Sequence, residues 1–186
     1  GATFVGNTSI GKKMTVNDLF TDGFDAVFLG VGSSIDAPLN IPGEHLPGVM
    51  KATDFLVRAN AEHRNLSPQE LREVQVGRDV VVIGGGDPAT DCARTAIRLG
   101  AQNVTCLYAY TEVEIPGRKK DRRLAAEEGV CFEYLVKPTR LLAGENGKLA
   151  GVRCERITLD EPDEEGRRHP HDIPESTFTI PAETVI

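Results

Sequence analysis

Asp79-Val80-Val81-Val82-Ile83-Gly84-Gly85-Gly86-Asp87-Pro88-Ala89-Thr90-Asp91-Cys92-Ala93-Arg94-Thr95-Ala96-Ile97-Arg98-Leu99-Gly100 changes character twice. The opening β-branched run reads as a short buried strand. Three glycines end it. From Ala89 the apolar residues fall at helical spacing, with Ala89, Cys92, Ala93, Ala96, Ile97 and Leu99 on the inward side. Gly100 stands where a helix commonly stops. Residues 104–108, Val-Thr-Cys-Leu-Tyr, read as a second strand. Strand, tight turn, helix and strand in about thirty residues describe one parallel crossover.

Gly84-x-Gly86-x-x-Ala89 fits the G-x-G-x-x-G/A dinucleotide pattern, and each position has a reason. Gly84 lets the chain leave the strand sharply, and Gly85 continues the turn. Gly86 has no side chain, so a pyrophosphate can come close to the backbone. Ala89 is small enough for the helix to pack on the strand. The helix start, with Asp87 and Pro88, offers free N–H groups and partial positive charge to phosphate. The alternative is a tight turn with a purely structural role. A residue at the end of the second strand separates NAD from NADP: an acid binds the ribose 2′-OH, an arginine the 2′-phosphate. The chain reads Tyr108-Ala109-Tyr110-Thr111-Glu112 there, with neither directly in place. Arg118, Lys119 and Lys120 come next, as candidates for a 2′-phosphate or as an exposed first helical turn.

Outward from this unit, residues 118–128 read as a helix ended by Gly129, and 130–135 as a third strand. Beyond Pro138 the pattern changes to short strands at 140–142, 149–159 and 177–180. Glu145-Asn146-Gly147-Lys148 is a hairpin signal, and residues 160–171 read as a solvated loop. Upstream, 51–61 carries helical spacing, 63–75 is a polar connector and 33–48 a loop. Residues 25–32, Asp-Ala-Val-Phe-Leu-Gly-Val-Gly, read as a strand covered on both faces. A short helix at 15–20 is capped by Thr15 with Asp18 three residues on, and residues 2–5 read as a further strand. The expected fold is α/β: a Rossmann-like three-layer parallel sheet with helices on both sides and a small antiparallel excursion near 138–180. The chain lacks an initiator methionine and stops as an apolar strand begins at Thr184-Val185-Ile186, which reads as a piece cut from a longer protein.

The chain has 186 residues, 40% hydrophobic and 26% charged, with a net charge of -7. That balance suits a globular domain and disfavours nucleic acid or an anionic membrane as partner. No apolar run approaches the roughly 18–20 residues of a membrane span, and the N-terminus has no signal-peptide pattern. The acidic composition suits the cytoplasm. Cys92, Cys106, Cys131 and Cys154 lie 14, 25 and 23 residues apart. They form no Cys-x-x-Cys pair, so neither a redox dithiol nor a common metal site is expected, and the thiols read as buried apolar residues. His45, His63, His169 and His171 show no metal-ligand spacing.

Residues 82–101 resemble the NADPH-binding stretch of the glutamate synthase small (β) subunit family and its related flavoprotein electron-transfer subunits. Five further stretches agree. Residues 24–32, ending in Gly30 and Gly32, look like the strand and glycine turn where that family's chain leaves its FAD domain. Ile41-Pro42-Gly43-Glu44 with Pro47-Gly48-Val49 looks like the loop that follows. Glu112-Val113-Glu114-Ile115-Pro116 and Ala126-Glu127-Glu128-Gly129-Val130 match what comes after the second strand, and residues 180–186 the run-up to the return strand. The resemblance implies electron transfer from NADPH through FAD to iron–sulfur clusters and a large partner subunit. It makes 1–50 a flank of the FAD domain and linker, and 51–186 an NAD(P)H-binding domain inserted in that flavoprotein. Gly30 and Gly32 become cofactor-binding candidates beside Gly84, Gly85, Gly86, Asp87, Pro88 and Ala89. The parent protein is then an oxidoreductase holding FAD, and this chain alone is expected to bind nucleotide without turnover.

Two departures bear on the ligand. The family has Asn where Asp87 stands, and a carboxylate beside a pyrophosphate weakens binding unless it points away or caps the helix. It has two arginines where Ala109 and Tyr110 stand, which leaves NADP or NAD open and gives Tyr110 an alternative part in stacking on adenine. No catalytic acid or base and no metal ligand is singled out, since the cofactors carry the chemistry. A non-catalytic nucleotide-sensing or docking module is the competing reading. A free-standing short-chain dehydrogenase fails on spacing, because Tyr134-Leu135-Val136-Lys137 is not Tyr-x-x-x-Lys.

Overall fold

The structure, a computed structural model, describes residues 1–32, 36–60 and 74–186. The polar connector expected at 63–75 lies, up to residue 73, outside the described residues. The chain divides into two compact units, Gly1–Ser34 and Ile35–Ile186.

In the larger unit the elements run α2 (Ala52–Ala59), β1 (Asp79–Ile83), α3 (Asp87–Arg98), β2 (Asn103–Tyr108), α4 (Lys119–Glu127), β3 (Val130–Tyr134), β4 (Val136–Ala143), β5 (Leu149–Leu159), β6 (Pro170–Asp172), β7 (Phe178–Pro181) and β8 (Thr184–Val185). The expected crossover is present: β1 pairs β2 in parallel from Asp79 opposite Asn103 to Ile83 opposite Leu107. The parallel sheet is ordered β3-β2-β1-β8. The inner strand β1 is apolar on both faces because both are covered. Val80, Val82, Val104, Cys106 and Val130 pack under Ala89, Cys92, Ala93 and Ala96 of α3, Ala125 of α4 and Phe55 of α2. Val81, Leu107 and Val185 face the other way, onto Val136, Leu141, Leu149, Val152 and Cys154.

That second face corrects the expectation of helices on both sides. The described helices that pack on the sheet lie on one face, and the antiparallel sheet forms the other layer. In β5, Leu149, Val152, Cys154 and Ile157 are buried. Pairing with β4 and β7 gives this strand an apolar sheet face, and the parallel sheet is what buries it.

Several boundaries shift. Helix α3 begins at Asp87, two residues before the expected start, because Pro88 suits a first helical turn that needs no N–H there. Leu99, expected inside, is 41% exposed: the helix has ended and Gly100, at φ +98°, turns the chain away. Strand β4 starts at Val136, earlier than expected, and β6 occupies the end of the expected solvated loop, held by its ladder to β5. Cys92, Cys106 and Cys154 are buried as expected, whereas Cys131, on edge strand β3, is exposed.

The smaller unit holds α1 (Val16–Thr21), and its cap is as read: Asp18 N–H donates to Thr15 Oγ1 at 3.2 Å, and Thr15 N–H to Asp18 Oδ2 at 2.8 Å. The strands expected at 2–5 and 25–32 are not formed. Phe28 is 95% exposed. An apolar run needs a neighbouring strand to complete its ladder, and among the described residues it has none.

Candidate dinucleotide-binding site

Strand β1 delivers the chain to the turn. Ile83 N–H donates to Ile186 O at 2.8 Å and Gly84 N–H to Leu107 O at 3.0 Å, so both neighbouring strands hold the exit point. Gly84 then takes φ +144°, a region that disfavours side chains, while a Cβ there would touch Ala89 Cβ at 3.4 Å. Gly86 is the N-cap of α3 and offers only backbone, with its carbonyl accepting from Ala89 and Thr90 N–H. A Cβ on Gly86 would meet only Pro88 Cδ, at 3.5 Å, so the approach to the backbone is open. Among the described residues, the N–H groups of Gly86 and Asp87 have no protein acceptor. Open N–H groups at the positive end of a helix form an anion site.

Residues 109–118 fold back over this turn. The Tyr108 ring and Ile115 lie against Gly85: a Cβ there would stand 2.5 Å from Tyr108 Cδ2 and 2.8 Å from Ile115 Cγ1. Burial pushes the Tyr108 phenol upward. Gly117 closes on the start of the helix, where a Cβ would stand 3.1 Å from Gly85 O and 3.2 Å from Asp87 N. Asp87 does not cap its own helix. Its Oδ1 accepts Arg118 N–H at 2.8 Å, and its Oδ2 lies 3.3 Å from Arg118 Nε. Arg118 Nε also meets Asp121 Oδ2 at 2.9 Å.

The loop is fixed by Glu114, whose carboxylate accepts Thr111 N–H at 3.0 Å and the Thr111 hydroxyl, and meets Arg168 Nη1 at 3.4 Å. Hydrogen bonding from Thr111 holds Glu114 below the ordinary carboxylate range. Arg168 arrives from the β5–β6 connection, 54 residues away.

The structure thus brings Gly84, Gly85, Gly86, Asp87, Pro88, Ala89 and Arg118 together. Tyr110 is seated on Tyr108, ring centroids 5.6 Å apart, and its carbonyl accepts Leu135 N–H at 3.3 Å; Ala109 is half-buried between them in sequence. Gly30 and Gly32 belong to the other unit, in the segment that forms no strand. Gly32 takes φ +67°, with nothing within 4 Å of a Cβ. Gly117, Glu114 and Arg168 escaped the sequence reading. So did a cavity of about 450 Å³ at the carboxyl ends of β1 and β8, lined by Ile83, Ile186, Leu39, Met50 and Lys51. There the chain leaves β1 for β2 on one side while β8 pairs on the other, the switch point where ligands bind in open parallel sheets. Among the described residues no group of three or more His, Cys, Asp and Glu is placed to hold a metal.

A family model described as pyridine nucleotide-disulphide oxidoreductase matches residues 3–144. The whole chain aligns at 42% identity with a putative oxidoreductase, AegA, of Escherichia coli K12, covering 28% of that protein. It aligns at 42% with the glutamate synthase [NADPH] small chain of Halomonas elongata, covering 39% of it. The chain therefore spans well under half the length of these relatives. Among solved structures, Mycobacterium tuberculosis FprA in complex with NADPH superposes with a TM-score of 0.73 at 22% identity, over 96% of this chain and 52% of that one. At that identity the likeness speaks for the fold.

Proposed function

The chain belongs to the pyridine nucleotide-disulphide oxidoreductase family, and from that premise we propose that it is the NAD(P)H-binding part of a flavin-dependent oxidoreductase. The observation that carries this reading is the open Gly86 N-cap, preceded by Gly84 at a φ of +144° that favours glycine and followed by N–H groups at the start of α3 that have no partner among the described residues. A pyrophosphate fits there. The nicotinamide half extends over the cavity at the ends of β1 and β8, and the adenosine half runs toward β2 and β3. When bound, the nicotinamide supplies a hydride. The residues of this chain bind and orient it: Gly84–Ala89 hold the phosphates, and Ile83, Met50 and Ile186 give the ring an apolar bed.

In this reading residues 1–50 are a flank of the FAD domain and linker, and 51–186 an inserted nucleotide domain. FAD, an iron–sulfur or large partner subunit and the cytoplasm complete the assignment. Its support is the named relatives: a glutamate synthase [NADPH] small chain and an NADPH-Fe(3+) oxidoreductase subunit beta of Geobacter sulfurreducens, 40% identical.

The test is anaerobic mixing of the full-length protein with NADPH and with NADH, following the flavin absorbance. Bleaching that Gly86→Glu abolishes supports the proposal. Nucleotide binding without flavin reduction overturns the electron-transfer part and favours a sensing or docking module.

A further inference from the structure

The connection between β5 and β6 is braced along its length. Its base is the ladder from Ile157 opposite Asp172 to Leu159 opposite Pro170. Past the ladder, Asp160 N–H donates to His169 O at 3.1 Å, and His169 N–H donates to Asp160 Oδ1 at 2.6 Å. At the tip, Asp163 Oδ1 accepts the N–H groups of Glu165 at 2.9 Å and of Arg167 at 2.8 Å. The two adjacent arginines of this connection are engaged differently. Arg167 pairs with Asp163 and Glu165 of its own turn. Arg168 Nε donates to Asp160 O at 2.9 Å, and its Nη1 reaches out of the connection to Glu114 Oε1 at 3.4 Å.

Glu114 is where the loop over the glycine turn is tied. Its Oε2 accepts the Thr111 N–H and hydroxyl, and its carbonyl accepts the Tyr108 hydroxyl at 3.3 Å. Thr111 Oγ1 in turn accepts Val113 N–H at 3.2 Å. Ile115 and Gly117, the next residues but one along the chain from Val113 and Ile115, close on Gly85 and on the first N–H of α3. The position of one carboxylate therefore sets the path of residues 111–117 above the open helix start.

Three anchors from outside hold this loop. Leu135 N–H donates to Tyr110 O near its beginning, and Arg122 Nη1 donates to Gly117 O near its end. Arg168 holds the middle, through Glu114. The Thr111 contacts are local and travel with the loop, whereas Arg168 is fixed in another layer, 54 residues away. Among the described residues, Arg168 is the one charged side chain of the antiparallel layer that pairs with residues 109–118.

We propose that Arg168 is a positioning residue for nucleotide binding, acting through Glu114 to hold residues 111–117 against the glycine turn before the ligand arrives. This rests on pyrophosphate binding at the Gly84–Ala89 turn. A loop already in its bound place lowers the ordering cost of association. Releasing it lowers the binding-competent fraction, and the apparent affinity falls in proportion. Arginine suits the part because its planar fork meets a carbonyl and a carboxylate at once. The antiparallel layer thereby takes part in the site without touching the nucleotide.

The test is calorimetric titration of the full-length protein with NADP+ and with NAD+, oxidised probes that carry no hydride to a flavin. Arg168→Gln is expected to weaken binding about two- to fivefold. The double variant Glu114→Gln/Arg168→Gln is expected to bind no more weakly than Glu114→Gln alone. Hydrogen exchange at residues 111–117 of the nucleotide-free protein quickens in Arg168→Gln and returns to the parent level at saturation. Unchanged affinity in a folded Arg168→Gln variant overturns the inference. So does a loss that adds in full to that of Glu114→Gln, which makes Arg168 a direct contact of the nucleotide. Should Glu114→Gln not fold, exchange decides, and unchanged exchange at 111–117 in Arg168→Gln overturns the inference. Gly86→Glu separates this claim from the one beneath it: where that variant loses binding, the turn's role stands whatever Arg168 does. A parent protein that binds neither probe, or a folded Gly86→Glu that binds as the parent does, overturns the turn's role and takes this inference with it.

Discussion

Asp87 and Arg118, 31 residues apart, meet over the glycine turn: the carboxylate of the first takes both the backbone N–H and the guanidinium of the second. The one negative charge in the turn is thereby directed at the 109–118 loop and neutralised. Asp87→Asn keeps an acceptor for the Arg118 N–H and removes the charge. We expect nucleotide affinity to rise about two- to fivefold, and stability to fall by about 0.3–1 kcal/mol as the helix start loses its acid. Titration and urea unfolding read the two effects separately.

Gly85 is constrained by packing. A Cβ at this position would stand 2.5 Å from Tyr108 Cδ2, so Gly85→Ala forces the ring and the loop outward. Overpacking of this kind costs about 1–3 kcal/mol. The urea midpoint falls accordingly, and nucleotide affinity falls with it because the loop over the turn has moved.

Helices α3 and α4 are bracketed by Glu128, which accepts Arg94 Nε at 3.0 Å and Arg98 Nη2 at 3.0 Å. The hydrogen bond from Arg94, first among several causes, holds the Glu128 carboxyl below its ordinary range. Its contribution is therefore present above the unfolded value of about 4.3 and is lost as pH falls through the lower folded value. Glu128→Gln lowers stability at neutral pH by about 0.5–1 kcal/mol and makes the acid-side loss shallower. Urea midpoints from neutral pH down to pH 3 check this.

The thiols divide sharply. Burial pushes Cys92 and Cys106 up to about 12 and Cys154 to about 11, while Cys131 is exposed. A maleimide at neutral pH labels Cys131 in the native chain, and the other three only after denaturation. Mass spectrometry of tryptic peptides reads the pattern; rapid native labelling of Cys106 contradicts the packing described.

How much of this was legible depended on whether the signal was local. The run Asp79–Ile83, the three glycines and the small residues of α3 carry their geometry in adjacent positions, so strand, turn and helix were readable. The layer opposite α3 was not. Leu149, Val152 and Cys154 announce a buried strand face without saying that a parallel sheet covers it, and helices were expected there. Residues 25–32 misled for the converse reason: an apolar run signals burial, but the burial comes from a partner strand, and the described residues offer none. Of the site, Gly84–Ala89 was visible as a pattern. The Asp87–Arg118 and Glu114–Arg168 contacts join residues 31 and 54 positions apart, and side-chain pairing at such separation leaves no periodic trace. Gly117 was passed over because nothing in the sequence near it shows that its Cα lies against Gly85.

The central claim is that the Gly84–Ala89 turn binds a pyridine nucleotide. Calorimetric titration of the chain with NADPH and NADH, repeated on Gly86→Glu, tests it most directly. The substitution is placed where a Cβ meets only Pro88 Cδ, so the fold is retained while a carboxylate enters the phosphate approach. The account predicts saturable binding by the parent chain and its loss in Gly86→Glu with an unchanged circular dichroism spectrum. Equal binding by the parent chain and a folded Gly86→Glu variant would place the nucleotide elsewhere and contradict it.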